Sequence, residues 1–504
     1  MRSCIHRDNE YLRFLYEKII DILCILCLTG TLLYLCETQN VLYQSIKNVS
    51  ASKAILLFTI FLFITQRVRL FNRQSLIATL LYLPAGYAYA MRYAESATLF
   101  KRDRIVVLIV WFAIMIAVDM AVYQKRNSLH RFHFRSLMVF GFMTLAMTFY
   151  RNDRTYPVIF ILAFLFYLIP LDGQGWQRLI NQFCTTWLVT FFIILYRSLK
   201  NNPEVDTIEG AGRWYGDFLN IGHFGLFMAC VVVVILYKLH QSRKHYGRLS
   251  IPYAFYVVCL LPILWTVFRV STVTMFIGIA FVFLMYFILL GGKCTVQKVL
   301  RRFIFAALFL FFLLVIGYAV LMGLSHTDAE HWRTVMLEGN VFIKPVANLI
   351  YRAHYMFDET RTFADSGIFR PGSFINYVDL FTSGRLSLIK VFAEHFSFTG
   401  SPSEGYQVGT YYAYSAHNAY TQVIYEYGYL GGGAFILWLF YSVIAGVRQY
   451  IREQKTAQFL ICIWMAMTLG VLLGEVINLY TPTIFMTLFV TYPLMIDLDK
   501  KNAA

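Results

Sequence analysis

The sequence predicts an all-α polytopic membrane protein of about twelve to fourteen transmembrane helices. Three observations predict it. Hydrophobic residues fill 59% of the 504 positions and charged residues only 14%. Apolar runs long enough to cross a bilayer recur along most of the chain. Lysine and arginine gather in alternate connections between those runs. Helices are the expected form, because hydrocarbon offers no water to satisfy an open backbone.

In chain order the apolar segments are 18–37, 53–66, 76–91, 105–123, 136–150, 156–171, 178–198, 219–238, 252–268, 270–290, 302–323, 430–446, 457–477 and 480–497. The segment 53–66 is short, which leaves the helix count as a range. Arg13 and Glu17 precede the first segment and no small-residue cleavage site follows it, so that helix is expected to be retained. The chain divides into N-terminal transmembrane helices (1–200), transmembrane helices with outer-face arginines (201–323), one large polar loop (324–416) and C-terminal transmembrane helices (417–504).

The formal net charge is +16, and its basic residues cluster. The clusters are Arg67, Arg69 and Arg73; Lys125, Arg126, Arg131 and Arg135; Arg243, Lys244 and Arg248; Lys293, Lys298, Arg301 and Arg302; Arg448, Arg452 and Lys455; and Lys500 with Lys501. Cytoplasmic connections carry the Lys/Arg excess, so these segments and both termini are expected inside. Topology accounts for the basic runs without invoking nucleic acid. Arg92, Lys101, Arg102 and Arg104 fall outside in this count. Either a span in the first third is misplaced, or these residues meet an anionic group.

The nine cysteines lie almost entirely in spans or inner loops, and 324–416 has none, so no disulfide framework is expected. That loop carries nine acidic against seven basic residues from Asp328 to Glu404, and is too long for a plain connector. Within it, 343–357 has the spacing of an amphipathic helix, expected to lie on the membrane surface. A second helix is expected at 385–396, after Ser383-Gly384.

Three residues on the expected outer side could carry chemistry. Arg213 precedes a helix, Arg385 opens one, and His417 ends the loop. A guanidinium fork grips phosphate oxygens, and a helix N-terminus adds amide donors, so two such arginines could cradle a diphosphate. Histidine titrates near neutrality and could take a proton from an attacking sugar hydroxyl. Each has a plain alternative. A histidine at a helix start is commonly a cap, and loop arginines commonly anchor at headgroups. Tyr406, Tyr411, Tyr412 and Tyr414 could stack on sugars or form the ordinary interfacial belt. Gly431-Gly432-Gly433 could serve only close helix packing. Glu475, late in an apolar span, is a functional candidate or the partner of a buried arginine such as Arg269. The chain has no P-loop, Rossmann fingerprint, HExxH or nucleophile elbow, and no metal site is expected.

His417-Asn418, nine residues, then Gly428-x-x-Gly431 resembles the histidine motif of the bacterial O-antigen ligase family, itself similar to O-antigen and capsule polymerases. Ser383-Gly384-Arg385 with Gly400 and Gly405 resembles that family's loop. Arg213 with Gly216 and Asn220, and Arg269 with Ser271, are similar to its other arginine sites. The resemblance covers about 210–480. It implies a metal-independent, inverting GT-C-type glycosyltransferase on the outer face of the bacterial cytoplasmic membrane, serving lipopolysaccharide or other polysaccharide biosynthesis. The donor would be a glycan on undecaprenyl diphosphate, and no cofactor would be needed. The acceptor would be lipid A-core for a ligase or a lipid-linked repeat for a polymerase. Other polysaccharide-assembly proteins are implied as partners. By position, Arg213 and Arg385 would hold the diphosphate, His417 would be the general base, and Arg269, Tyr412, Tyr414, Asn418 and Glu475 would line the substrate site.

Two departures bear on this. No asparagine-proline-asparagine run follows Arg213, and the glycine that polymerases often place after an arginine and ten residues is Phe396 after Arg385 and Phe224 after Arg213. The second departure leans toward a ligase. Outside the family, a lipid-linked-glycan transporter would show paired repeats, which this chain lacks, and an assembly scaffold would tolerate loss of His417 and Arg385.

The charge asymmetry makes a direct prediction. Cysteines introduced into 324–416 will react with a thiol reagent that does not cross the cytoplasmic membrane, and cysteines introduced at 243–248 will not. Labelling of 324–416 only after the membrane is breached would reverse the topology.

Overall fold

The computed structural model of the chain describes residues 15–26, 28–30, 32–33, 133–149, 173–201, 213–216, 218, 221–270, 272–289, 295–339, 343–401, 405–453, 455–474, 487 and 490–495. These residues are mostly helical. In chain order the membrane-side helices are α1 (Phe134–Phe149), α2 (Gly173–Asn201), α3 (Ile221–Tyr246), α4 (Ile251–Val270), α5 (Val273–Leu289) and α6 (Val296–Leu324). The short helices α7 (Ala329–Glu338), α8 (Lys344–Met356), α9 (Phe374–Phe381) and α10 (Arg385–Ala393) follow, then a hairpin of β1 (Tyr406–Val408) and β2 (Tyr411–Ala413). The chain continues with α11 (Ala419–Glu453), α12 (Thr456–Gly474) and α13 (Tyr492–Met495). Among the described residues, five helices are long and apolar enough to cross a membrane: most of α2, and α3, α4, α11 and α12. The segments expected at 53–66, 76–91, 105–123 and 156–171 lie outside the described residues, as do Arg92, Lys101, Arg102 and Arg104.

The most extensive helix contact joins α5 and α12. Small residues make it possible. Gly470 and Gly474 of α12 face Thr274 and Gly278 of α5, one small residue per turn on each side. A Cβ on Gly470 would stand 3.0 Å from the Gly278 Cα and 3.0 Å from the Ile277 carbonyl oxygen. In hydrocarbon the hydrophobic effect does not pull helices together, so close backbone approach and its dispersion contacts do.

Helix α12 also packs on α11 and α3, and its apolar residues other than Leu473 are buried all round, the mark of a central helix. Trp464 anchors it, donating its indole N–H to Thr487 Oγ1 at 2.8 Å and meeting Trp187 of α2 edge-on at 6.2 Å. At the periphery α4 and α6 leave Val258, Leu261, Phe305, Leu308 and Phe311 exposed, as lipid-facing helices do. Helical residues 15–26 dock on α2 through polar contacts. Arg178 pairs with Glu17 at 2.5 Å, and Gln182 Nε2 donates to Asp21 Oδ1 at 2.8 Å.

Helix α11 is broken at Gly428 (φ 70°, ψ 178°). The break separates a short first part, at the loop, from a long part that spans. Segment 397–401 fills the break: Ser401 N–H donates to the Tyr425 carbonyl at 2.8 Å and Tyr429 N–H to the Ser397 carbonyl at 3.3 Å. A Cβ on Gly428 would come 2.1 Å from the Phe398 oxygen, and one on Gly400 would come 2.3 Å from the Glu426 oxygen. Of the three glycines that follow, a Cβ on Gly431 would approach the Ala146 oxygen of α1 at 3.5 Å, one on Gly432 would meet the Ile424 Cα at 2.6 Å, and Gly433 faces open space.

The loop folds as a small unit of its own. Asp328 caps α7 by accepting from Glu330 N–H, and Ser373 caps α9 by accepting from Asn376 N–H. The helix expected at 343–357 forms as α8. Its buried residues Ala347, Asn348, Ile350, Ala353 and Met356 pack against protein, with Asn348 donating to Met336 Sδ of α7 at 3.3 Å. That face is covered by α7, α9 and α6, while Val346 and Leu349 remain exposed.

Gly470→Val tests the central contact. A branched side chain meets backbone at both 3.0 Å approaches, so α5 and α12 must separate. We expect a loss of about 1–3 kcal/mol of stability, read as a lower unfolding midpoint and poorer monodispersity in detergent.

Candidate functional site

The singled-out stretches meet near Gly474, the last described residue of α12. Three side chains from elsewhere in the chain bond two carbonyls there. Thr274 Oγ1 of α5 donates to the Gly474 oxygen at 2.9 Å, and Arg385 Nε of α10 donates to the same oxygen at 2.7 Å. Asn418 Nδ2 donates to the Leu473 oxygen at 2.9 Å. Tyr420 OH adds a bond to the Leu469 oxygen at 3.0 Å, one turn further in.

Arg385 is placed by a turn that needs unusual backbone. Ser383 and Gly384 both take positive φ, at 57° and 79°, and a Cβ on Gly384 would stand 2.3 Å from the Phe363 ring. The turn aims Arg385 so that its Nη1 donates to the Thr382 oxygen at 2.6 Å while Nε reaches α12. The guanidinium is thus fixed by two carbonyls on different elements and remains partly exposed. Amides at the start of α10 are engaged within the protein. Asp379, buried on α9, already accepts from Ser387 N–H at 2.9 Å and from Ser387 Oγ–H at 2.6 Å. Burial pushes the Asp379 carboxyl above its usual range, and the bonds from Ser387 and Leu386 oppose that shift.

His417 takes φ 46°, a left-handed conformation uncommon for a residue with a Cβ. Both of its neighbours are tied down. Ala416 N–H donates to Gln422 Oε1 at 2.9 Å, and Asn418 Oδ1 accepts from Thr421 N–H at 2.9 Å. Asn418 is therefore the cap of α11, and the same amide links that helix start to the end of α12. The capping role belongs to Asn418, and His417, partly exposed, stands just outside it. Gln422 in turn donates to Glu426 Oε1 at 2.8 Å, which fixes the amide that holds Ala416.

The α4–α5 turn carries the second arginine pair. Trp214 N–H donates to the Arg269 carbonyl at 3.0 Å, so the Arg213 strand lies against the end of α4. The Arg269 guanidinium sits 4.7 Å from the Trp214 ring centre, and Trp265 meets Trp214 edge-on at 4.9 Å. Arg269 is 0% exposed, so in this state it supports Trp214 and does not reach the surface. Arg213 is partly exposed. Gly216 turns with φ 58°, and a Cβ there would stand 3.0 Å from the Phe224 ring. Glu475, Ser271, Asn220 and Glu404 lie outside the described residues.

The tyrosines divide. Tyr406 packs inward: its hydroxyl lies 2.9 Å from that of Tyr425, and its ring stacks on His395 at 4.1 Å. Tyr412 and Tyr414 are exposed on the hairpin, in edge contact at 5.0 Å, with Tyr412 OH donating to the Gly405 oxygen. They form an open aromatic surface three to five residues before His417. Among the described residues, no group of three or more His, Cys, Asp or Glu is placed to hold a metal ion.

Compared with models of known protein families, with curated proteins and with solved structures, the chain matches none.

Sequence reasoning missed Gly470, Gly474, Thr274 and Asp379. The first two were legible, since Gly-x-x-x-Gly in an apolar span signals close packing. Nothing local marks Thr274 or Asp379, whose partners lie 200 and 8 residues away.

Arg385→Lys keeps the charge but has one nitrogen for two carbonyls on different elements. We expect the variant to lose about 1.5–3 kcal/mol in thermal or denaturant unfolding. An unchanged unfolding midpoint would show that the bridge between α10 and α12 does not bear on stability.

Proposed function

We propose that this protein is a membrane glycosyltransferase that moves a glycan from undecaprenyl diphosphate to an acceptor hydroxyl on the extracytoplasmic face. The observation that carries the proposal is convergence. Arg385, Asn418 next to His417, and Thr274 of α5 are far apart in sequence, yet all bond the described end of α12, while Trp214 next to Arg213 bonds the end of α4 that leads into α5. A site that couples an anionic leaving group to a proton acceptor needs fixed cations and a base in one place.

In this reading His417 takes the proton from the acceptor hydroxyl. The hydroxyl oxygen bonds to the anomeric carbon as the bond from that carbon to the phosphate oxygen breaks. The electron pair leaves with the lipid diphosphate, whose growing charge is met by Arg385 and Arg213. Base and leaving group on opposite faces of the sugar give inversion. Tyr412 and Tyr414 offer a surface on which sugar rings stack. Arg269 acts from behind, holding Trp214 and through it the Arg213 strand.

The test uses purified protein with a lipid-linked oligosaccharide, with and without a distinct acceptor. His417→Ala should lower transfer about 100- to 10,000-fold while donor binding survives, because the base acts on the acceptor. His417→Gln should lose as much, since an amide accepts a hydrogen bond but no proton at neutral pH. A glutamine variant with wild-type turnover would sink the assignment of His417. Transfer only to the distinct acceptor identifies a ligase, and growth of lipid-linked chains without it identifies a polymerase.

A further inference from the structure

Helix α9 is inside out for a helix in water. Its polar residues Asn376 and Asp379 are 0% and 1% exposed, while Phe374 and Ile375 of its first turn are 64% and 51% exposed. The buried pair is bonded within the loop. Asn376 Nδ2 donates to the Arg361 carbonyl at 2.9 Å, and Asp379 accepts from Ser387. With about 3.6 residues per turn, Asn376, Asp379 and Leu380 share one face, and Phe374, Ile375 and the half-buried Val378 take the other. A lone exposed apolar residue carries no message. A helix that seals its polar groups within and turns its apolar groups outward is suited to apolar surroundings.

The position of that outer face says what surrounds it. Helix α6 carries no charged residue from Phe303 to Leu324, a stretch long enough to cross a hydrocarbon core. Phe311, Val315 and Met322 share a face of α6 with Tyr318, and all three are exposed. The Tyr318 ring meets the Phe374 ring at 5.5 Å and the Phe357 ring at 5.4 Å. Phe374 therefore packs on the lipid-facing stripe of α6. Tyr318 lies six residues, about 9 Å, before the end of α6 at Leu324. The first turn of α9 is thus held beside the apolar helix and not beyond its end. Arg370 and Glu359 border this turn and are exposed, as charges at a headgroup boundary would be.

We propose that the first turn of α9 is inserted in the bilayer leaflet at the loop end of the helices, with Phe374 and Ile375 against lipid acyl chains. The same helix ends at Phe381, just before the turn that aims Arg385, so the membrane sets the height of that turn. The inference stands on the lipid-facing stripe of α6 and does not depend on the transfer reaction proposed above.

The test uses the full chain in vesicles of phosphatidylethanolamine and phosphatidylglycerol. The photoreactive residue p-benzoylphenylalanine replaces Phe374, Ile375, Phe311 or Glu338 in separate variants. Irradiation bonds it to C–H groups in contact with it, and mass spectrometry of the intact protein reads the adducts. Phe311 is the lipid-facing reference, and Glu338, exposed at the last residue of α7, is the water-facing one. Lipid adducts are expected at Phe374 and Ile375 in yields comparable to Phe311, and are expected to be lost at Glu338. The Ile375 variant carries the test if the Phe374 variant does not fold. Yields at both positions as low as at Glu338, or crosslinks to a second copy of the chain in place of lipid, overturn the proposal. Absence of adducts at Phe311 overturns it too, because α6 would then not face lipid.

Discussion

The close approach of α5 and α12 is the contact on which the rest of the candidate site depends. Gly278, Gly470 and Gly474 remove the side chains that would hold the two backbones apart. With that distance set, Thr274 reaches the Gly474 carbonyl, and the end of α12 stands where Arg385 and Asn418 also reach it. One stretch of α12 then serves as the common reference for a residue of the loop, the start of α11 and the start of α5. The bonds to its Leu473 and Gly474 carbonyls fix the geometry.

A second constraint works through backbone that ordinary residues resist. Gly428 breaks α11, and Gly400 lets segment 397–401 enter the break. The first part of α11 can then follow the loop while the second spans. Ser383, Gly384 and His417 add positive φ next to Arg385 and Asn418. Strain of this kind is kept where surrounding bonds over-determine it. Here Gln422, Asn418 and Asp379 supply those bonds, at Ala416, Thr421 and Ser387.

The two ends of the helices differ in kind. One end is an aromatic and hydrogen-bonded site assembled by a folded loop, with an open tyrosine surface beside it. The other is a cavity whose described walls include Lys244, Arg452, Glu453 and Lys455. The first depends on long-range contacts between the loop and the helices.

The helical class, the spans expected at 178–198, 219–238, 252–268, 430–446 and 457–477, and the helices at 343–357 and 385–396 were legible in the sequence, because apolar run length and 3.6-residue spacing are local properties. The importance of Arg213, Arg385 and His417 was legible only as residue chemistry at loop ends. The sequence could not say that Asn418 rather than His417 caps α11, that Arg269 is sealed behind Trp214, or that Asp379 occupies the start of α10. Those outcomes turn on which helix ends meet, and the partners of Arg385 and Thr274 lie 89 and 200 residues away. The sequence by itself determined which segments are helical and where positive charge gathers. Tertiary structure decided which distant side chains come near enough to bond the Leu473 and Gly474 carbonyls, because that depends on which helices pack together.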